Sequence, residues 1–286
     1  MSAERRITEA QREKYLKRFQ SLTIKNDFMF CKVMQDEEIC SRVINLVLKY
    51  QQDIPPLRLI IPQANIENHA ELKSIRLDVL AEDEKGNSYD IEMQVVNRRN
   101  IEKRIRAYQA AIDGSKMSKG MDYSCLTDTI IIFICLFDLF GKGLALYSFE
   151  NYCTQDKNIR MNDGSYRVIL NALAWESVED EELRALLRYI ATGVASSELT
   201  RRMDMKIETI KKDTIITDKN VSFYASIMDA RRSGRSRGRR EGLEKGIKRG
   251  RAEGILATAK NLFSMGLPIE SIMQATGLSK EELEKL

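Results

Sequence analysis

The chain has 286 residues, of which 43% are hydrophobic and 31% are charged, with a net charge of +4 at pH 7. These values are typical of a soluble, globular protein with one sizeable core and an additional segment. The longest apolar run, IIIFICLF at 130–137, ends at Asp138 and is too short to cross a bilayer, so we expect no membrane partner. Residues 1–19 lack the apolar stretch of a signal peptide, so we expect a cytoplasmic protein.

The cysteine and histidine content limits which kinds of metal site and catalytic site the chain can form. The five cysteines contain no CxxC pair, and we expect them to be reduced and mostly buried. His69 is the single histidine, so neither a zinc site nor a Ser-His-Asp arrangement is expected. We interpret His69 as a surface loop residue. If the chain is an enzyme, we expect it to use carboxylates and a metal.

The first predicted elements are helical. Residues 26–49 carry apolar positions at helical spacing and predict one or two helices, which end before Pro55 and Pro56. The segment LRLIIP at 57–62 then predicts a first strand.

Residues 76–94, RLDVLAEDEKGNSYDIEMQ, predict a β-hairpin that is rich in Asp and Glu. Its turn contains Gly86 and Asn87, which tolerate positive φ. A turn centred on Lys85 pairs 82 with 88, 80 with 90, 78 with 92 and 76 with 94. Alternation then places on one face Arg76, Asp78, Leu80, Glu82, Ser88, Asp90, Glu92 and Gln94, and on the core face Leu77, Val79, Ala81, Tyr89, Ile91, Met93 and Val95.

In this register Asp78 and Glu92 face each other, with Cβ atoms roughly 4.5–5.5 Å apart. Like charges directly opposite are destabilising, and two interpretations stay open. In one, the pair binds a cation such as Mg²⁺, and Gln94 bonds a metal-bound water. In the other, the pair belongs to an ordinary solvated face on which water and Arg76 moderate the repulsion.

The remaining predicted elements are a helix, three strands and a further helix. Residues 98–117 predict a basic amphipathic helix with one apolar face. Further strands are predicted at 129–137, 144–152 and 166–173, the first of them central and covered on both faces. Residues 177–193 predict a helix that begins with a capping box formed by Ser177 and Asp180.

Glycine recurs at every fourth position from Gly234 to Gly254. The surrounding residues 231–254 contain ten Lys and Arg and three Glu, a net charge of +7 that leaves the rest of the chain near −3 and suggests a polyanionic partner. In a helix these glycines would form a stripe that a second helix can approach closely, so a homo-oligomer could form through it. A flexible basic linker is the alternative.

The last residues predict a small helical hairpin, loosely similar to a helix-turn-helix, with a capping box of Ser279 and Glu282. The predicted segments of the whole chain are therefore 1–174 as the core, 175–230 as a helical appendage, 231–256 as the basic glycine-repeat helix or linker, and 257–286 as the hairpin.

Several sequence blocks in a fixed order resemble the PD-(D/E)xK nuclease family of transposase-like and recombination-promoting nucleases. The blocks are NDFMFCKVM (26–34), KSIRLDVLAEDEKGNSYDIEMQ (73–94), RIRAYQA (104–110), KGMDY (119–123) and the glycine-repeat tail followed by ATGLSKEELEKL. The resemblance covers most of the chain and is weakest over 151–230.

This resemblance implies an α/β, restriction-endonuclease-like core, a mixed sheet flanked by helices, with a helical glycine-repeat extension. It implies cleavage of DNA phosphodiester bonds that depends on Mg²⁺, or on Mn²⁺. Asp78 and Glu92 would bind the metal, and Gln94 would stand where the superfamily has a lysine that positions the attacking water. Glutamine carries no charge, and Arg76 could supply it.

Other residues are expected to assist the site as an accessory acid or as contacts to DNA. Asp27 is expected either as an additional acid of the site or as a helix N-cap. The expected contacts to DNA phosphates are Arg98, Arg99, Lys103, Arg104, Arg106, Arg235 and Arg239.

Two further functions stay open. A degenerate nuclease fold would bind DNA or a protein without cutting, and the glutamine at position 94 favours this interpretation. A regulator would read DNA through the C-terminal hairpin.

Overall fold

The computed structural model of the protein describes residues 8–48, 54–66 and 75–285. Its strands are β1 (Leu57–Pro62), β2 (Asn65–Ile66), β3 (Ile75–Arg76), β4 (Val79–Asp83), β5 (Ser88–Gln94), β6 (Thr129–Cys135), β7 (Leu146–Phe149) and β8 (Ser165–Asn171). Its α-helices are α1 (Glu9–Gln20), α2 (Asp27–Val33), α3 (Glu37–Leu48), α4 (Ile101–Lys116), α5 (Glu181–Thr192), α6 (Glu198–Lys212), α7 (Thr214–Ser264), α8 (Ile269–Thr276) and α9 (Lys280–Leu283). His69 lies outside the described residues.

Six strands form one mixed sheet in the order β1-β4-β5-β6-β8-β7. Strands β1, β4 and β5 are antiparallel neighbours, β5, β6 and β8 run parallel, and β7 pairs antiparallel with β8 at the far edge. Strands β2 and β3 form a separate two-stranded sheet.

The central strand β6 is buried along its whole length, as its continuous apolar sequence predicts. Ile130, Ile132 and Ile134 belong to the main core cluster on one face of the sheet. Ile131 and Phe133 belong to a second cluster on the other face, which contains residues of α4. Helices therefore cover both faces of the sheet.

The register of the β4–β5 hairpin is the predicted one, because Glu82 pairs with Ser88 and Leu80 with Asp90. Buried Asp83 holds the turn: one of its carboxyl oxygens accepts hydrogen bonds from the backbone N–H groups of Lys85 and Asn87, both at 2.9 Å. Gly86 adopts a φ of 83°, which explains why glycine is needed in this turn.

The predicted pairing of Arg76 with Gln94 is wrong. Arg76 lies in β3 and pairs with Asn65, whereas Gln94 continues along β6 opposite Cys135. The chain leaves the hairpin at Asp78, because the Asp78 carbonyl oxygen accepts a hydrogen bond from the Gln63 N–H at 2.7 Å. Residues before Asp78 therefore have a different partner strand.

The acid-bearing face of the hairpin is not a solvated face, so that interpretation is wrong. Asp90 is 0% exposed and Glu92 is 2% exposed. Helix α4 covers this side of the sheet through Ile101 and Ile105, which pack with residues of β6. The acids of β5 thus lie beneath a helix, and their charges are largely removed from water.

Helices α2, α3, α5 and α6 pack on the opposite face in the main core cluster. The predicted segment boundary at residue 174 separates α5 and α6 from the sheet that they pack against. The predicted capping box of Ser177 and Asp180 is wrong: α5 begins three residues later, and Asp180 is its N-cap, accepting from the Leu183 N–H at 2.9 Å. Aspartate, like serine, is a favoured N-cap residue, so the sequence allowed the helix to begin after either Ser177 or Asp180.

The chain divides into two compact units, Leu16–Lys219 and a second that contains Asn220–Leu286 with Met1–Tyr15. In the second unit Ala259, Ile272 and Leu283 form a small buried cluster. Ser279 and Glu282 cap α9 reciprocally, as predicted. Residues 231–254 lie within helix α7, and a Cβ added at any glycine of the repeat would meet no atom within 4 Å apart from the neighbouring backbone of the helix itself.

None of the described helices has both the length and the apolar character that crossing a membrane requires.

Candidate active site

Asp78 and Glu92 lie together where the chain enters β4 and leaves β5. The Asp78 N–H donates to Glu92 Oε1 at 2.8 Å, and the Met93 N–H donates to Asp78 Oδ2 at 3.1 Å. Each carboxylate therefore accepts a hydrogen bond from the backbone beside the other. This reciprocal arrangement fixes both side chains at one point of the sheet.

Burial and nearby negative charges make both carboxyl groups hard to ionise. Burial raises the pKa of Asp78 to about 6, and the charge of Asp27 adds to this rise. Burial, followed by the charge of Asp78, raises the pKa of Glu92 to about 8. The Asp78 N–H and the nearby Arg104 favour the ionised form of Glu92, but burial is the larger effect.

Asp90 is a third acid at this site, and the sequence pattern did not single it out. Neither of its carboxyl oxygens has a hydrogen-bond partner among the described residues. Burial raises its pKa well above the ordinary value, and the charges of Glu92 and Asp78 act in the same direction. Its position two residues before Glu92, on the same face of one strand, is the signal that could have found it.

Arg104 of helix α4 reaches into the site. Its Nη2 donates to Glu92 Oε2 at 2.8 Å, and its Nη1 donates to Gln94 Oε1 at 2.6 Å. The sequence predicts Arg104 only as one of several phosphate contacts. Its spacing is informative, however, because it lies three residues after Ile101 and four before Tyr108, and therefore on the apolar stripe of the helix.

The side-chain amide of Gln94 is held at both ends. Its Oε1 accepts the hydrogen bond from Arg104, and its Nε2 donates to the Val96 carbonyl oxygen at 2.9 Å. One Nε2 hydrogen then remains for another acceptor.

The two accessory candidates act on the acids through their charges. Arg76 is exposed, and its positive charge lowers the pKa of Asp78, although burial raises that pKa overall. Asp27 is the first residue of α2, where Asn26 is the N-cap, so the N-cap interpretation of Asp27 is wrong. The charge of Asp27 raises the pKa of Asp78 and, as a smaller effect, that of Glu92.

The other basic residues predicted to contact DNA are exposed. Arg98, Arg99, Lys103 and Arg106 lie in or just before α4 and form no ion pair with any residue that the structure describes. Arg235 and Arg239 are exposed on α7. The structure thus leaves these side chains accessible, whereas Arg104 has protein partners.

The donor set fits a hard divalent cation. Asp78 and Glu92 supply carboxylate oxygens, which Mg²⁺ prefers, and two carboxylates suffice when water and phosphate complete its coordination. Burial is the main cause of the raised pKa of both carboxyl groups, so their ionised forms are disfavoured unless a cation is bound. In the described parts of the chain no group of three or more His, Cys, Asp or Glu side chains is arranged to hold a metal, so Asp90 does not extend this pair.

A family model described as "PD-(D/E)XK nuclease family transposase" matches residues 24–221, which include the hairpin and α4. The chain belongs to this family. A second model, described as "Rpn/YhgA-like nuclease family, C-terminal HTH domain", matches residues 253–286. No curated protein and no solved structure matches the chain.

Membership confirms the resemblance found in the sequence and supports a nuclease-like or transposase-like function. The mixed six-stranded sheet flanked by helices is the predicted restriction-endonuclease-like core, with a helical C-terminal region. Nucleases of this family typically use divalent metals, which agrees with the paired carboxylates. The predicted C-terminal hairpin lies within the segment that matches the helix-turn-helix model, and helix-turn-helix domains commonly bind DNA.

Proposed function

We propose that this protein is a metal-dependent endonuclease that hydrolyses DNA phosphodiester bonds, of the transposase-like and recombination-promoting type. The observation that carries the proposal is the paired placement of Asp78 and Glu92, each hydrogen-bonded to the backbone beside the other. Two carboxylates fixed side by side in this way offer the oxygen ligands that a hard divalent cation prefers.

In this proposal Asp78 and Glu92 hold Mg²⁺, and Mn²⁺ has the same preference for hard oxygen ligands. A bound divalent cation polarises a phosphoryl oxygen and lowers the pKa of water. The protein does the positioning: the Asp78 N–H fixes one oxygen of Glu92, and Arg104 fixes the other. The free Nε2 hydrogen of Gln94 is suited to orient the attacking water.

Substrate binding would come from exposed basic side chains. Arg98, Arg99, Lys103 and Arg106 contact phosphates near the site, and the basic residues of α7, with Arg235 and Arg239, add affinity that does not depend on sequence. DNA is therefore the proposed partner. The Asp27 carboxylate acts as an accessory acid and Arg76 as an accessory cation through their charges.

The test is cleavage of supercoiled plasmid DNA by the full-length protein with Mg²⁺ or Mn²⁺. Asp78→Asn and Glu92→Gln should abolish cleavage. Glu82→Gln is the matched control, because Glu82 is a carboxylate of the same hairpin that pairs with Arg58 instead. Equal cleavage by the parent and Asp78→Asn, or none by the parent with either metal, would overturn the proposal.

The second candidate is a catalytically degenerate nuclease fold that binds DNA or a protein. It is favoured by the neutral Gln94 and by the ion pair between Arg104 and Glu92, which already places one cation beside the acids. This candidate predicts DNA binding without cleavage and a melting temperature that does not respond to Mg²⁺ or Mn²⁺.

A further inference from the structure

We propose that Arg104 is the positioning residue that supplies the positive charge of this active site, replacing from helix α4 the charge that Gln94 lacks on β5. The inference rests on the proposed nuclease function and assigns a part of that mechanism to a residue outside the hairpin. It replaces the expectation that Arg76 supplies this charge.

The first observation is the geometry of the guanidinium group. Two different nitrogens of Arg104 bind the two proposed site residues: Nη2 binds Glu92 Oε2 at 2.8 Å, and Nη1 binds Gln94 Oε1 at 2.6 Å. The planar fork of arginine can hold two acceptors at fixed directions, which the single ammonium group of lysine cannot do. Arg104 therefore sets the positions of Glu92 and Gln94 relative to each other.

The second observation is the support behind Arg104. The Tyr108 hydroxyl accepts from its Nε at 3.1 Å and from its Nη2 at 2.8 Å. The guanidinium carbon lies 5.2 Å from the ring centre of Tyr108 and 5.2 Å from that of Phe133 on β6. A residue that only neutralised a surface acid would not need a hydroxyl and two rings to fix it.

The third observation is the charge balance. Three acids, Asp78, Asp90 and Glu92, lie in this region, and among the described residues Arg104 is the cation that contacts one of them directly. Its side chain is 25% exposed, so it is shielded from water but still accessible. A partly buried lysine loses its proton more readily, whereas a guanidinium stays charged. Arg104 thus keeps a permanent positive charge beside Glu92 and Gln94.

A charge in this position has a chemical use during hydrolysis. Negative charge grows on the phosphate as the bond to the attacking water forms, and a fixed cation in a partly buried site stabilises it strongly. The same cation fixes the Gln94 amide, whose free hydrogen is proposed to orient the water. The first effect requires a positive charge at this place, whichever strand or helix carries it, whereas the second requires both Arg104 and Gln94.

The experiment moves the charge between the two residues in the full-length protein. The variants are Arg104→Gln, Gln94→Lys and the double variant Arg104→Gln/Gln94→Lys. Arg106→Gln is the matched control, because Arg106 is an exposed arginine of the same helix. Plasmid cleavage is measured over a range of DNA concentrations with Mg²⁺, together with the melting temperature with and without Mg²⁺.

Arg104→Gln should lower kcat by about 100-fold or more, as loss of one electrostatic donor does in other active sites, with little change in KM. Gln94→Lys should also lower kcat, because its ammonium group would lie against the guanidinium. The double variant should recover at least about tenfold over Arg104→Gln, since it restores one charge at the site. Arg106→Gln should change KM alone.

A folded Arg104→Gln protein with the kcat of the parent would overturn the inference and leave the proposed function standing. A double variant no faster than Arg104→Gln would also overturn it, because a purely structural arginine predicts no rescue. If Arg104→Gln does not fold, Tyr108→Phe tests the same support: it keeps the ring and removes the hydroxyl, and an unchanged kcat would again overturn the inference. A parent without metal-dependent cleavage would overturn the proposed function and this inference together.

Discussion

The stabilisation of this protein by Mg²⁺ should grow as the pH rises from 6 to 8. The carboxyl pKa is about 6 for Asp78 and about 8 for Glu92, so at pH 6 the site holds protons that a cation must displace. The metal-free protein should behave in the opposite way. The pKa of Glu92 in the folded state is above its ordinary value of 4.5, so its stabilising contribution is complete below pH 4.5 and is lost as the pH rises through 8.

The size of the effect follows from proton competition at Glu92. Its ionised fraction rises from about 1% at pH 6 to about one half at pH 8, so the apparent metal affinity should rise roughly 50-fold. At metal concentrations well above Kd this corresponds to about 2 kcal/mol of added stability. For a unit the size of Leu16–Lys219, that is a difference of about 4–8 °C in melting temperature.

The assay is thermal unfolding of the full-length protein at pH 6, 7 and 8, with and without an excess of Mg²⁺. Asp78→Asn should abolish the metal-dependent increment at every pH, whereas Glu82→Gln should retain it. An increment that is independent of pH, or larger at pH 6 than at pH 8, would refute the reasoning about protonated ligands. No increment at any pH, with Mn²⁺ as well, would refute the metal site itself.

Three other expectations follow from the same contacts. Without metal, Glu92→Gln should leave the melting temperature unchanged or raise stability by at most about 1 kcal/mol, since it relieves the repulsion by Asp78; a large loss would show that the Arg104 ion pair dominates. Asp90→Asn should raise the melting temperature by an amount that grows as the pH rises above 3.8, because the folded parent keeps a proton on this buried, unpartnered acid that the unfolded chain releases; a difference that does not grow between pH 4 and pH 7 would contradict this. Truncation after residue 230 should weaken non-specific DNA binding and flatten its dependence on salt, because thirteen Lys and Arg are removed, ten of them in residues 231–254; unchanged affinity and oligomeric state would make residues 231–254 only a linker.

The parts of the fold that the sequence predicts correctly are those whose pattern is complete within one element or one hairpin. Alternation on both sides of a turn centred on Lys85 determines the pairing of Glu82 with Ser88 and of Leu80 with Asp90. The continuous apolar run of β6 likewise predicts a strand covered on both faces. In each case the periodicity of the sequence contains the structural information.

The burial of the acidic face could not be predicted from the hairpin alone, because it depends on a different element of the fold. Alternation shows that Asp90 and Glu92 share a face with Asp78, but it does not show what covers that face. Helix α4 covers it and changes the same carboxylates from solvated charges into buried acids with raised pKa values. The pairing of Arg76 with Gln94 failed for a related reason, since the partner of Arg76 is Asn65 in a segment that carries no strong strand pattern.

Arg104 is a residue whose role in the site can be predicted from the sequence only in part. As one of several basic residues in α4 it resembles its neighbours Lys103 and Arg106, and all three are predicted to contact phosphate. Only Arg104 of these three lies on the stripe that the helix buries, and that stripe crosses the strand that bears Glu92. A charged residue on a buried stripe needs a partner of opposite charge. The buried acids of β5 need a cation for the same reason. Arg104 on the buried stripe of α4 and the acids of β5 are therefore expected to pair once α4 is known to cover β5. The helical spacing of Arg104 therefore distinguishes it from Lys103 and Arg106 in the sequence, but its contact with Glu92 depends on the packing of α4 over β5, which the sequence does not specify.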